Sequence, residues 1–252
     1  MVIIKTPEQI ACMKKAGRIT AEALLVARDA IRPGISTKEI DARIRRYIEK
    51  CGAVPSFLGY GGFPASACIS LNNEVIHGIP SEHRFLCEGD LVKVDVGARF
   101  RGYHGDSART FPVGKVSELA ARLIAVTEQS FREACKVAVS GMRVGDIGNA
   151  VESFVRANGF SIVRAYVGHG VGEELHEEPE VPNFGKTGHG ARLYPGMTIA
   201  VEPMVNVGSP EVKVQSDGWT VLTEDGSLSA HYENSILITE NDPIILTDPD
   251  IR

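Results

Sequence analysis

Four acidic residues sit where acids are uncommon. Asp95 lies in LVKVDVG, Asp106 in YHGDSA, Glu202 in MTIAVEP and Glu233 in AHYENSILI, each inside or beside an apolar run. Acids are depleted in strands, and a carboxylate buried without a partner is costly. One such acid is commonly satisfied by an arginine or by backbone amides. Four are hard to satisfy that way, whereas a pair of divalent cations does so readily, because carboxylates are hard oxygen donors that can bridge two ions. A hairpin turn centred between Phe100 and Arg101 would set Asp95 opposite Asp106, with Cβ atoms about 5 Å apart. Like charges that close need a cation, a shared proton or a basic neighbour between them. A slipped register would instead leave Asp106 in solvent.

Histidines add a second donor type. GHGVGEELHEEP carries His169 and His176, and NNEVIHGIP carries His77 beside Gly78. Imidazole together with carboxylate suits zinc, iron, manganese or cobalt better than magnesium or calcium. His83, His104, His189 and His231 read as structural. The glycine spacing of GHGVG does not match the dinucleotide or P-loop patterns. No Gly-x-Ser-x-Gly elbow occurs, and no cysteine stands in a recognisable nucleophile motif.

The elements that must hold these residues follow from capping and periodicity. Thr6, Pro7 and Gln9 form a helix-start signature, and that helix is expected to run to about Ala30 before Pro33-Gly34. A second starts at Ser36, carries Ile40, Ile44 and Ile48 on one stripe, and ends near Cys51-Gly52. Strands are expected at Cys68 to Leu71, Val75-Ile76, Leu91 to Val96 and Tyr103 to Phe111. In LVKVDVG the valines share one face, and Leu91, Lys93 and Asp95 the other. Helices return at Ser117 to Val139 and Asp146 to Asn158, and strands at Ile162 to Val167, Met197 to Val205, Gly218 to Thr223 and Leu228 to Thr239.

This order is helix-helix-sheet twice over. An offset of 107 residues superposes Gly34 on Gly141, Ile40 on Ile147, Gly52 on Gly159, Gly89 on Gly196 and Val94 on Val201. The same offset places Asp95 on Glu202, so the acids are expected to come from two halves of one site. The expectation is a single catalytic domain over 1–252, with halves of roughly 1–112 and 113–252.

The bulk numbers set the frame. Of 252 residues, 43% are hydrophobic and 23% charged, as in an ordinary globular protein. The five cysteines are scattered without a Cys-x-x-Cys pair, which points to a reducing compartment. A net charge of −5 without a basic run argues against a nucleic-acid surface. No apolar stretch approaches a membrane span or a signal peptide, so a cytoplasmic location is expected.

HGIP, DVG with YHGDSA, GHGVG with LHEEP, VEP and HYEN together resemble the type I methionine aminopeptidases, in the order and spacing of that family and over nearly the whole chain. The resemblance implies the α/β pita-bread fold, with two pseudo-symmetric halves around a dinuclear site. It implies metal ligation by Asp95, Asp106, His169, Glu202 and Glu233, with Asp106 and Glu233 bridging two divalent ions (cobalt, manganese, iron or zinc). His77 and His176 would contact substrate, and Tyr60, Phe63, Cys68 and Trp219 would line the methionine pocket. Phe57, Leu175 and Gly97 depart from some relatives, but touch pocket shape and surroundings rather than ligands. Only 31 positions separate Glu202 from Glu233, too few for the helical insertion of type II members. The chain resembles the minimal bacterial-style form without an N-terminal extension.

The implied activity is removal of the initiator methionine from N-terminal methionyl peptides and nascent chains when the second residue is small, with transient ribosome contact and a monomeric enzyme. A metal-bridging hydroxide would attack the scissile carbonyl, with Glu202 shuttling the proton and His176 supporting the oxyanion. Two other readings fit the same fold: a peptidase cleaving before proline, and a non-catalytic binding protein.

Overall fold

The computed structural model describes residues 2–250. Two long helices lead each half. α1 (Pro7–Ala30) begins with the capping box expected of Thr6 and Gln9, and α2 (Thr37–Lys50) is capped by the Ser36 hydroxyl. Ile40, Ile44 and Ile48 are all fully buried, and they meet Val92, Val94 and Val96 from the strand Leu91–Phe100. The other face of that strand, carrying Lys93 and Asp95, points toward the second half. There α3 (Glu118–Cys135) and α4 (Val144–Ala157) cover a separate apolar core. α3 ends four residues before Val139, the end expected from the sequence.

The 107-residue offset recurs in the hydrogen bonds. Gly34 donates to the Leu86 carbonyl and Gly141 to the Leu193 carbonyl; Leu86 donates back to Ile35 and Leu193 to Met142. The isolated bridges Ser36–Phe85 and Arg143–Arg192 are likewise one offset apart. The glycine pairs superposed by sequence all have positive φ: 83° and 91° at Gly34 and Gly141, 71° and 77° at Gly52 and Gly159, 92° and 88° at Gly89 and Gly196. Each half therefore closes the same helix-to-strand junction with the same backbone.

The sheets differ between halves. In the first, Leu91–Phe100 pairs along one edge with Val54–Pro55 and Ala67–Leu71, and along the other with Tyr103–Pro112. In the second, Thr198–Val201 and Asn234–Leu237 belong to a five-stranded sheet, while Met204–Asn206 and Ser229–His231 belong to a three-stranded one. The long strands expected over Met197 to Val205 and Leu228 to Thr239 are thus each broken, at Glu202-Pro203 and at Tyr232-Glu233. Pro203 has no N–H to give a ladder, so the chain leaves one sheet there and enters the other. The strand expected at Ile162 to Val167 shrinks to Ser161–Ile162, and the chain pairs again only at Gly168–Gly170. A hairpin of Val212–Val214 and Val221–Thr223 docks on Glu74–Ile76 and carries Trp219 across to His77. Among the described residues, no helix is long and apolar enough to cross a membrane.

Candidate active site

The first-half acids stand on a hairpin whose register differs from the sequence expectation by two residues. Asp95 lies opposite Ala108, and Asp106 opposite Gly97. The turn is Arg101-Gly102, with φ of 49° and 91°, one residue later than expected. Two successive positive φ values are the signature of the tight hairpin turn that matches strand twist. Because the shift is two residues, both carboxylates keep the same face and become diagonal neighbours. A shift of one would have turned Asp106 toward the helices.

Glu233 joins them through the backbone: its N–H donates to the Ala108 carbonyl at 2.9 Å and its carbonyl accepts from Ala108 N–H at 3.3 Å. Asp95, Ala108 and Glu233 therefore form a row across both halves. Ser107 Oγ, at 2.7 Å, and the Arg109 guanidinium also donate to the Glu233 carbonyl, while Arg109 bonds Asn234 Oδ1 at 2.7 Å and covers the Tyr232 ring. Arg109 is a brace that sequence reasoning missed; its position on the strand beside Asp106 held the only signal.

His169 enters on a strand squeezed between two others. A Cβ at Gly168 would lie 2.3 Å from the Ala200 carbonyl oxygen, and one at Gly170 would lie 2.3 Å from that of Glu178. Glycine on both sides of the histidine is thus a packing requirement. His169 Nδ1 bonds the Gly170 carbonyl at 2.8 Å, which places its proton on Nδ1 and leaves the Nε2 lone pair free. That Nε2 lies 3.5 Å from Glu202 Oε1 and 3.8 Å from Asp106 Oδ2.

The charge state of this cluster has a simple cause. Burial, then mutual repulsion, pushes the Asp95, Glu202 and Glu233 carboxyls well above their ordinary range, and burial raises Asp106 to about 7. Burial, reinforced by the neighbouring His176, lowers His169 to about 3 and keeps it a neutral lone-pair donor. Asp95 Oδ1, Asp106 Oδ1 and Glu233 Oε1 are buried without a hydrogen-bond partner. Donor atoms of Asp106, His169 and Glu233 fall within 4.8 Å of one another. Partnerless buried carboxylate oxygens in a cluster with a neutral imidazole fit a divalent cation, because a cation would satisfy them without added protons.

Beside the acids lies the cavity, about 160 Å³, and all eleven residues singled out from the sequence line it, joined by Phe57 and Leu175. Phe57, Phe63, Cys68 and Leu175 form a small buried apolar cluster with Trp219 against it, separate from the two main cores. Phe63 meets Trp219 edge-on at 5.2 Å. His77 adopts a left-handed backbone, φ 59°, because Gly78 hugs the neighbouring strand: the Gly78 carbonyl accepts from Ile69 N–H at 2.8 Å. This turns the His77 ring edge-on to Trp219 and Tyr166. Burial, followed by the nearby His176, lowers His77 to about 4. His176 Nδ1 lies 2.7 Å from the Tyr60 hydroxyl, and its ring centroid 4.1 Å from that of His169. Of the histidines read as structural, His104 bonds Ser56 Oγ at 2.8 Å, His83 and His189 lie away from the cavity, and His231 is buried beside Glu202 and Glu233.

Two helix-helix-sheet halves closing on a carboxylate-rich cavity are the layout of the pita-bread metallopeptidases. A profile of metallopeptidase family M24 matches residues 11–240. The methionine aminopeptidase of Clostridium acetobutylicum is 53% identical over 247 residues, covering 98% of this chain and 99% of that protein. The methionine aminopeptidase structure from Thermotoga maritima superposes with a TM-score of 0.97 at 45% identity, over 98% of this chain and 100% of the other. The prolidase of Pyrococcus furiosus shares the fold at a TM-score of 0.79 and 26% identity, but 98% of this chain covers only 65% of that one. The chain belongs to metallopeptidase family M24, in its methionine aminopeptidase branch.

Proposed function

We propose that this protein removes an N-terminal methionine from peptides and nascent chains whose second residue is small, in the cytoplasm, as a monomer with transient ribosome contact. The observation that carries the reading is the cavity itself, where partnerless buried carboxylates adjoin an apolar pocket sized for one side chain. At about 160 Å³ it is well below the roughly 300–1,000 Å³ of sites for larger ligands.

Asp95 and Asp106 would hold one divalent ion and His169 and Glu202 the other, with Asp106 and Glu233 shared. Iron, manganese, cobalt and zinc all suit this donor set. Bound ions supply Lewis acidity and lower the pKa of a coordinated water toward neutrality. The chain's own groups do the rest. Glu202 holds and passes a proton on its carboxylate. Where the Tyr60 hydroxyl donates to His176 Nδ1, the proton of His176 is left on Nε2, free to donate to the carbonyl oxygen as charge develops there. His77 bonds the backbone beyond the scissile bond. Phe57, Phe63, Cys68, Leu175 and Trp219 exclude water around an unbranched thioether, whose sulfur makes favourable aromatic contacts.

Hydrolysis of Met-Ala-Ser by protein reconstituted with each of the four metals tests the reading, with chelator and Glu202→Gln as controls. Cleavage of an Ala-Pro substrate in preference to the methionyl peptide would assign the site to the proline-specific peptidases instead, and cleavage with none of the metals would remove the reading.

A further inference from the structure

His231 is 2% exposed, and neither of its ring nitrogens has a hydrogen-bond partner. Its backbone is pinned: the N–H donates to Thr110 Oγ1 at 2.9 Å, and the carbonyl accepts from the same hydroxyl at 2.8 Å. The ring is therefore fixed from the first-half hairpin while sitting at the second-half breaks. Its Nε2 lies 3.9 Å from Glu202 Oε2 and 4.0 Å from Glu233 Oε2. Glu202 presents its other oxygen, Oε1, to His169 at 3.5 Å. One oxygen of Glu202 thus faces the donor cluster, and the opposite one faces His231. A movement of about 1 Å would bring either Oε2 into hydrogen-bond range of that nitrogen. Buried polar groups are normally partnered, so an imidazole placed between two carboxylates with both nitrogens free is poised for a bond made when those carboxylates draw in.

We propose that His231 is a positioning residue for the metal centre: its ring N–H holds an outer carboxylate oxygen of Glu202 or Glu233 and keeps the inner oxygens aimed at the ions. The inference rests on the reading that those glutamates bind metal. Neither glutamate lies within a named strand: Glu202 stands at a sheet break and Glu233 keeps only its backbone pair with Ala108, whereas Asp95 and Asp106 stand on a continuous hairpin.

The test is calorimetric titration of metal-free protein with Mn²⁺ and with Co²⁺, the latter also followed by its visible absorption. Wild type, His231→Gln and His231→Leu are compared, with the melting temperature of each metal-free form as the folding control. His231→Leu is expected to bind roughly 10- to 100-fold more weakly, the usual effect of losing a partner behind a metal ligand. His231→Gln, which keeps an N–H donor, is expected to stay within about threefold of wild type. If His231→Leu does not fold, His231→Met takes its place under the same criterion. Wild-type affinity in the apolar variant, or equal loss in both variants, overturns the proposal. Failure of the wild type to bind either ion overturns the metal reading and this inference with it.

Discussion

Asp95 and Asp106 stand on two uninterrupted ten-residue strands, whereas Glu202 and Glu233 stand at breaks where the chain passes from one sheet to another. The first pair is aimed by a hydrogen-bonded ladder whose register a two-residue turn sets. The second pair lies outside the named strands, with only Glu233 keeping a backbone pair (to Ala108); it reaches one methylene further and is supported by side-chain braces: Ser107, Arg109 and, by our inference, His231. Two halves related by the same offset thus deliver corresponding acids by different means. A site between two halves tolerates this because each half has its own core, and only the acid positions must agree.

Breaking the ligand set gives the largest expected effect. Asp106→Ala, on the rigid side, should abolish tight metal binding and lower turnover at least about a thousandfold, small against the millionfold and greater accelerations of enzymes. Metal analysis of the purified variant checks this, and full metal content would contradict the assignment. His176→Ala, from the second half but outside the ligand set, should lower kcat about a hundred- to a thousandfold with metal content intact. Loss of metal in that variant would move His176 into the metal shell.

Stability separates the halves more finely. Arg109→Met removes the brace at Tyr232-Glu233 and should cost about 2–3 kcal/mol in urea unfolding of the metal-free protein. A loss below about 0.5 kcal/mol, within the scatter of neutral surface changes, would mean the break holds itself.

Metal affinity should also depend on pH, with a sign that follows from the raised carboxyls. Below about 7, Asp106 carries a proton in the metal-free protein, and burial with mutual repulsion holds the Asp95, Glu202 and Glu233 carboxyls well above their ordinary range. An arriving cation must displace those protons, so affinity rises with pH, by about tenfold per unit for each proton released. Calorimetry at pH 6 and 7 in buffers of different ionisation enthalpy counts them; a flat profile would mean the carboxylates are ionised before metal arrives. The smallest expected effect lies at the first-half turn. Arg101→Asn places a residue that tolerates positive φ where φ is 49°, and should stabilise the protein by about 0.5–1 kcal/mol. A destabilised variant would show that Arg101 contributes more than its backbone.

Legibility followed the range of the interactions concerned. The starts of α1 and α2 were readable because Thr6 and Ser36 bond amides three residues away. The buried stripe of α2 was readable because helical period alone selects Ile40, Ile44 and Ile48. The site residues were readable because acids and histidines in apolar strands violate local preference, and those violations led to one cavity. The turn at Arg101-Gly102 was misplaced by one residue, since arginine carries no hairpin signal and only the closed ladder forces its φ positive. The breaks at Glu202 and Glu233 were missed because strand-forming residues flank each on both sides, and such a run does not reveal that its two ends join different sheets; Pro203 was the one local signal of the first break.

By itself, then, the sequence determined the two-fold order of helices and strands, the acids and histidines that must share a site, and the donor chemistry they offer. Those are properties of residue type and of short spacing. The tertiary structure alone decided that Asp106 sits diagonal to Asp95, that Glu202 and Glu233 stand at sheet breaks, and that Arg109 and His231 lie behind them. The first depends on the closed hairpin ladder rather than on any residue in its turn; Glu233, Arg109 and His231 are placed by contacts more than a hundred residues apart, where no local preference acts and only the packing of one half against the other selects the partner.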